Sequence, residues 1–142
     1  MKIFCLILLV FFLEQNCFSQ INILDASTIP KNLTDNAHSI KREEKMDFEV
    51  SDINEAKLTV TQVFTVLDAE GEDALYFYKY SDQFRKLIDA EIKVFDSHGV
   101  QINKYKMKEM NSEAADDDGL VSDGKIYYFR VSAPSYPITV QY

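Results

Sequence analysis

The sequence predicts an all-β protein: an antiparallel β-sandwich, incomplete at its C-terminal end and preceded by a signal-peptide helix. Three observations point there. Apolar and polar residues alternate with period two in several short segments, as they do when one face of a strand is buried. All four glycines, Gly71, Gly99, Gly119 and Gly124, fall between those segments rather than inside them, where turns are required. The chain has 142 residues, 46% of them apolar, which suffices for one core and hardly for two.

Residues 1–19 read as a signal peptide. Lys2 supplies a positive charge, an unbroken apolar run extends from residue 3 to residue 13, and Cys17-Phe18-Ser19 places small residues at −3 and −1 of a cut before Gln20. The run falls short of the roughly 20 apolar residues a membrane-spanning helix needs. An uncleaved anchor is the alternative reading, and a buried core helix is disfavoured because the run has no polar face. Lipidation at Cys17 is disfavoured too, since Glu14, Gln15 and Asn16 stand where an apolar residue and small residues are required. Cleavage after Ser19 removes Cys5 and Cys17 and leaves 123 residues without a thiol. Such a mature chain has no disulfide, thiolate nucleophile or Cys metal site, and relies on its packed core. The expected location is exported, periplasmic or extracellular, with no stable membrane span after cleavage.

Residues 20–38 form an N-terminal connecting segment containing Pro30, and residues 39–142 the partial β-sandwich domain. Asn32-Leu33-Thr34 matches a glycosylation acceptor, which has meaning only in a eukaryotic secretory pathway and is read as a chance match. A short helix or turn is expected over 35–37, then an extended stretch over 39–50. Charges crowded at 41–45 suit an edge strand that resists edge-to-edge pairing. The clearest strand spans 57–67: Leu58, Val60, Phe64 and Val66 share one parity, and Thr59, Thr61 and Thr65 the other. A turn over 68–71 follows, with Gly71 free to take a positive φ. The next strand, 75–80, is dense in aromatics. Tyr76, Phe77, Tyr78 and Tyr80 are assigned to core and cross-strand packing in preference to an aromatic ligand platform. Residues 87–95 alternate again, Asp96-Ser97-His98-Gly99 makes a hairpin turn, and 100–107 pairs back. Residues 108–118 are polar and acidic, a loop with room for one helical turn. A strand over 125–131 sets Ile126, Tyr128 and Arg130 against Tyr127, Phe129 and Val131. Pro134 and Pro137 bracket a turn, and 138–142 begins a last strand.

Candidate chemistry is thin. Against 15 Lys+Arg stand 23 Asp+Glu, a net charge of −8. No cationic excess exists to neutralise phosphates, so a nucleic-acid partner is excluded and docking on an anionic membrane surface is disfavoured. Asp116-Asp117-Asp118-Gly119 invites a calcium reading. Set on the EF-hand pattern, however, Ala114 takes the first ligand position and Lys125 the twelfth, where a Glu is required. A looser site of Asp116, Asp118 and Asp123 is the remaining alternative to a solvated acidic loop. His38 and His98 are too few for a metal cluster, with His98 expected to face solvent in its turn. Ser97 and His98 are not expected to pair, because neighbouring side chains on extended backbone diverge. Arg85 and Lys86 are expected as surface charges ahead of the strand at Leu87. No catalytic, cofactor-binding or metal residue is assigned, no cofactor is implied, and the expected protein is not an enzyme.

The order of the segments resembles a known family. Ile29-Pro30, Asn36-Ala37 and a charged strand lead to Val63-Phe64-Thr65-Val66-Leu67, a turn ending in Gly71 and the aromatic 75–80 strand. Tyr80-Ser81-Asp82-Gln83-Phe84-Arg85-Lys86-Leu87 then runs into Ile92-Lys93-Val94-Phe95-Asp96-Ser97-His98-Gly99. The acidic loop, Lys125-Ile126-Tyr127-Tyr128-Phe129 and Tyr136-Pro137-Ile138-Thr139-Val140 complete the series. From about Ile29 onward the chain resembles the N-terminal half of the bacterial domain of unknown function DUF3857. The resemblance implies an antiparallel β-sandwich on exported bacterial proteins, commonly followed by a transglutaminase-like domain whose Cys-His-Asp triad carries any catalysis. No position here matches that triad, so no catalytic residue is carried over. The chain is expected to stop inside a strand at Tyr142, with the rest of the sandwich and the catalytic-type domain missing. If it folds alone, that strand and its neighbours are expected to leave unpaired edges.

Two functions are expected from different classes. The first is a noncatalytic exported β-domain that binds or positions a protein or envelope-glycan partner. The second is the N-terminal fragment of a transglutaminase-like peptidase or cross-linking enzyme. The oligomeric state has no signature in the sequence.

Overall fold

The computed structural model describes residues 22–115 and 124–142. The signal-peptide reading with Cys5, Cys17 and Ser19, and the acidic loop with Asp116, Asp118, Gly119 and Asp123, lie outside the described residues.

Among the described residues, eight strands form two antiparallel sheets. The larger contains β1 (Ser39–Asp52), β2 (Glu55–Val66), β8 (Ile138–Gln141), β4 (Glu91–Phe95) and β5 (Gln101–Lys106), in the order β1-β2-β8-β4-β5. The smaller contains β3 (Tyr76–Ser81), β7 (Lys125–Arg130) and β6 (Asn111–Ala114), in the order β3-β7-β6. The protein is all-β, with two sheets stacked over one core as the sequence predicts. Val66, Ile92, Val94, Ile138 and Val140 from the larger sheet meet Phe77 and Phe129 from the smaller, with Leu75 and Val131 closing one end. Tyr105 and Phe129 bridge the layers with ring centroids 4.5 Å apart. Tyr142 packs on both Phe64 and Phe77, and its hydroxyl donates to the carbonyl of Ala74 at 2.7 Å. Among the described residues no helix is long and apolar enough to cross a membrane.

β1 lies at the sheet edge, as its charge pattern suggests. One of those charges has another task. A bulge between Lys41 and Glu43 turns Arg42 out of register. Its guanidinium donates to the carbonyl of Asp25 at 3.2 Å and to Thr28 Oγ1 at 2.7 Å. The segment 22–34, with a 3₁₀ turn at Ala26–Thr28 and α1 (Lys31–Thr34), is thereby tied down on the sandwich. The Ala26 amide reaches the Ser97 carbonyl at 3.1 Å and adds a second tie. A docked segment on the far side of the larger sheet explains why Thr65, on the polar parity of β2, is fully buried. Its hydroxyl is 2.9 Å from that of Thr139, and Arg42 approaches it at 3.4 Å.

Several boundaries differ from the sequence reading. The helix falls at 31–34 and residues 35–36 form the turn, with Asn36 at φ 59. The strand expected from Leu87 begins at Glu91, after a segment in which the Leu87 amide is held by Ser81 Oγ at 3.1 Å. The polar stretch after Lys106 contains a 3₁₀ turn, Met107–Glu109, and β6, which pairs with β7 from Asn111↔Tyr128 to Ala114↔Lys125. The turn expected over 68–71 is a 3₁₀ helix, Ala69–Leu75, in which Gly71 is required for close approach instead of a positive φ. A Cβ there would lie 2.5 Å from the His38 carbonyl carbon and nearer still to its oxygen. Gly99 alone among the described glycines has a positive φ, 78. The expected free edge at the last strand is overturned: β8 is central, paired with β2 on one side and β4 on the other.

Candidate functional site

The smaller sheet has one face on the core and one in solvent. Alternation along β3 sends Phe77 inward, where it is 8% exposed, and sends Tyr76, Tyr78 and Tyr80 outward at 45%, 51% and 42%. Phe77 packs in the core and Tyr76 meets Tyr128 across the strands, in line with core and cross-strand packing, while Tyr76, Tyr78 and Tyr80 also line an open face. Register sets Arg130, Tyr128 and Ile126 of β7 opposite Tyr76, Tyr78 and Tyr80. On the far side of β7, Asn111 and Glu113 of β6 stand opposite Tyr128 and Ile126. The result is a surface of four tyrosines with an amide and charged groups at its margin.

The rings support one another. Tyr76 lies 6.5 Å from Tyr78 and 6.4 Å from Tyr128 by ring centroid, tilted by 31° and 37°. Such tilted pairs are favourable for aromatic quadrupoles and limit the rotamers each ring can take. At the end of β3 the margin is fixed by Glu72, which accepts from the Tyr136 hydroxyl and, at 3.0 Å, from Arg130. The Tyr136 hydroxyl and then the Arg130 guanidinium hold the Glu72 carboxyl below the usual range; the same hydrogen bond pushes the Tyr136 phenol up. Glu72 therefore stays ionised and pins Arg130 beside Tyr76. Flat tyrosines offer ring faces for stacking against the C–H surfaces of a sugar or an apolar side chain, and hydroxyls for hydrogen bonding.

Elsewhere the chemistry-bearing residues are in structural contacts. His38 Nδ1 lies 2.9 Å from Asp68 and Nε2 3.1 Å from Glu70. His98 faces solvent as expected, but Ser97 Oγ is 3.1 Å from His98 Nδ1, so the expected divergence does not hold. The reason is that these residues form a tight turn into Gly99 instead of an extended strand. Arg85 and Lys86 are surface charges as expected, Arg85 paired with Asp82 at 3.2 Å. Among the described residues no group of three or more His, Cys, Asp or Glu could hold a metal ion. A shallow groove of about 580 Å³, lined by Ile88, Lys106, Met110 and Tyr127 among others, opens between the sheets beside β6.

The fold and this surface define a two-sheet antiparallel β-module with an aromatic face that is exposed among the described residues. Residues 54–142 match the model of a family described as a domain of unknown function with a solved structure, DUF3857, and the chain belongs to that family. No curated protein and no solved structure matches the chain.

Proposed function

We propose that this protein is a noncatalytic, exported β-sandwich module that binds or positions a protein or an envelope glycan on its tyrosine face. One observation carries the reading: Tyr76, Tyr78, Tyr80 and Tyr128 share the outer face of the smaller sheet, and the three on β3 are about half exposed. Tyrosine supplies large contact area at low cost in side-chain entropy, because only two torsions must be fixed. A pinned Arg130 and the polar margin add direction to otherwise nonspecific stacking.

The test is retention of partners from an envelope extract by the immobilised protein, followed by titration with soluble glycan fragments and with the retained proteins. Replacing Tyr78 and Tyr128 together by Ala is expected to weaken the interaction by roughly tenfold or more, as loss of aromatic anchors does. The melting curve of the variant should stay cooperative. A partner bound equally well by both forms, or no retained partner, overturns the reading.

A further inference from the structure

The 3₁₀ helix Ala69–Leu75 is fixed differently at its two ends. At the C-terminal end Leu75 is buried in the core, and its carbonyl accepts from the Val131 amide at 3.0 Å. The carbonyl of Ala74 accepts from the Tyr142 hydroxyl at 2.7 Å. The N-terminal turn is closed on itself: Asp68 accepts from the Glu70 amide at 2.9 Å through its side chain and from the Gly71 amide at 3.2 Å through its carbonyl. His38 joins that turn to β1. Its carbonyl crowds Gly71, and its ring reaches two carboxylates at once, Asp68 from Nδ1 and Glu70 from Nε2.

Both ring contacts are satisfied together only by the imidazolium. A neutral imidazole has a single N–H, and its bare nitrogen is an acceptor that a carboxylate cannot serve. Asp68 has the firmer hold, with both oxygens within 3.0 Å of Nδ1 and one of them fixed by the Glu70 amide. Glu70 is the more exposed side chain, 77% against 49%. Loss of the proton therefore leaves the N–H on Asp68 and frees Glu70.

The effect reaches beyond one ion pair. Asp68, Glu70, Glu72 and Asp73 put four carboxylates into six residues. Among the described residues the cations in contact with them are His38 and Arg130, the latter on Glu72 at 3.0 Å. The charged groups acting on the His38 ring are Asp68 and Glu70; Lys41, the nearest charge along β1, is engaged with Glu44 at 3.1 Å. Without the imidazolium, Arg130 stands alone against the four carboxylates, on the same turn from which Glu72 holds Arg130 and Tyr136 beside the tyrosines.

We infer that His38 is a proton-operated latch on the margin of the tyrosine face: as imidazolium it clasps Asp68 and Glu70 and so keeps Glu72, Arg130 and Tyr136 in position, and as neutral imidazole it releases Glu70 and loosens that margin. The hydrogen bond to Asp68, then the charges of Asp68 and Glu70, keep the ring protonated above its ordinary 6.5, so the latch opens on the alkaline side of that value. Its bearing on a ligand rests on the tyrosine-face reading; the latch itself is read in the free protein, so either can fail without the other.

Nuclear magnetic resonance follows the His38 ring, the Arg130 δ-methylene and the Tyr136 ring from about pH 5 to about pH 8, with His98→Gln assigning the two imidazoles. The Arg130 and Tyr136 signals are expected to move with the midpoint of the His38 ring. His38→Gln, which has no titrating ring, should abolish that movement. His38→Arg keeps a cation with several donors toward both carboxylates and should hold the signals near their acid-end positions. Mass-detected amide exchange gives a second readout, taken at equal pH. Residues 69–75 should be equally protected in the wild type and His38→Arg at about pH 5. At about pH 8 the wild type should exchange about twofold to fivefold faster, the worth of an exposed ion pair. Arg130 and Tyr136 signals that stay still while His38 titrates, the same movement in His38→Gln, or equal exchange at the alkaline end would each overturn the inference.

Discussion

His38 ties the start of β1 to the 3₁₀ helix after β2 in two ways. Its carbonyl accepts from the Leu67 amide at 2.8 Å, and the close passage of Gly71 leaves no room there for a side chain. Its ring lies between the Asp68 and Glu70 carboxylates. The hydrogen bond to Asp68, helped by the charges of Asp68 and Glu70, raises the His38 pKa above its ordinary 6.5. A raised folded-state value means that the imidazolium stabilises the fold fully below pH 6.5 and that this contribution is lost as pH rises through the folded value. Asp68 has the opposite sign: the His38 hydrogen bond lowers its pKa, so its contribution is lost as pH falls through that lowered value. His38→Gln keeps the backbone bond and removes the titration. Melting temperatures of the two proteins, compared from about pH 5 to about pH 8, should differ most at the acid end and converge toward the alkaline end. A gap independent of pH would mean that the ring acts by packing alone.

At the scale of elements, the N-terminal segment depends on Arg42. The bulged arginine holds Asp25 and Thr28 and reaches Thr65, so one side chain links segment and sheet. Arg42→Ala is expected to cost about 1.5–3 kcal/mol, the range for hydrogen bonds to a charged group. It should also raise amide exchange in 22–34 well before exchange rises in β2. Urea unfolding and mass-detected exchange measure the two effects. Arg42 also shows why parts of the fold could be read from sequence and parts could not. β2, β4 and β7 announced themselves because their alternation is local and carries Val66, Ile92, Val94 and Phe129 to the core; β5, exposed at every position but Tyr105, is marked by the Asp96-Ser97-His98-Gly99 turn before it. β6 carries Asn111, Ser112, Glu113 and Ala114, all exposed; only pairing with β7 makes it a strand, and that partner lies outside any local window. Thr65 is buried although it shares the parity of Thr59 and Thr61, because its cover comes from residues about forty positions earlier. The tyrosine face was half legible. Period two separates Phe77 from Tyr76, Tyr78 and Tyr80, yet only the second layer decides which parity meets solvent. β8 is a short strand, Ile138–Gln141, and its place at the centre of the larger sheet is likewise set by partners distant in sequence.

The whole molecule is organised around that short strand. Among the described strands of the larger sheet, β8 joins the β1–β2 and β4–β5 hairpins, with Phe64 and Val94 on either side of Val140, and Thr65 and Phe95 on either side of Thr139. Ile138, Thr139 and Val140 are all buried to within 1%, so the last described strand supplies the centre of the core. Closing it requires contact across 74 residues, from Thr65 to Thr139, at a loop entropy of about 4 kcal/mol. That cost is offset only when both neighbours and the facing Phe77 are in place, which makes folding of the two sheets one event. Ile138→Ala is expected to lower stability by about 2–5 kcal/mol while the transition stays two-state. Removing residues 138–142 should do something different in kind. The two hairpins are left without a shared partner, and isolated hairpins are marginal in water. Near-UV circular dichroism should then show no sigmoidal melt, and amide protection should vanish from β4 and β5 together with β2. A cooperative transition surviving that deletion would show that the core is held by the smaller sheet and the segment tied by Arg42, with β8 merely docked between two already stable halves.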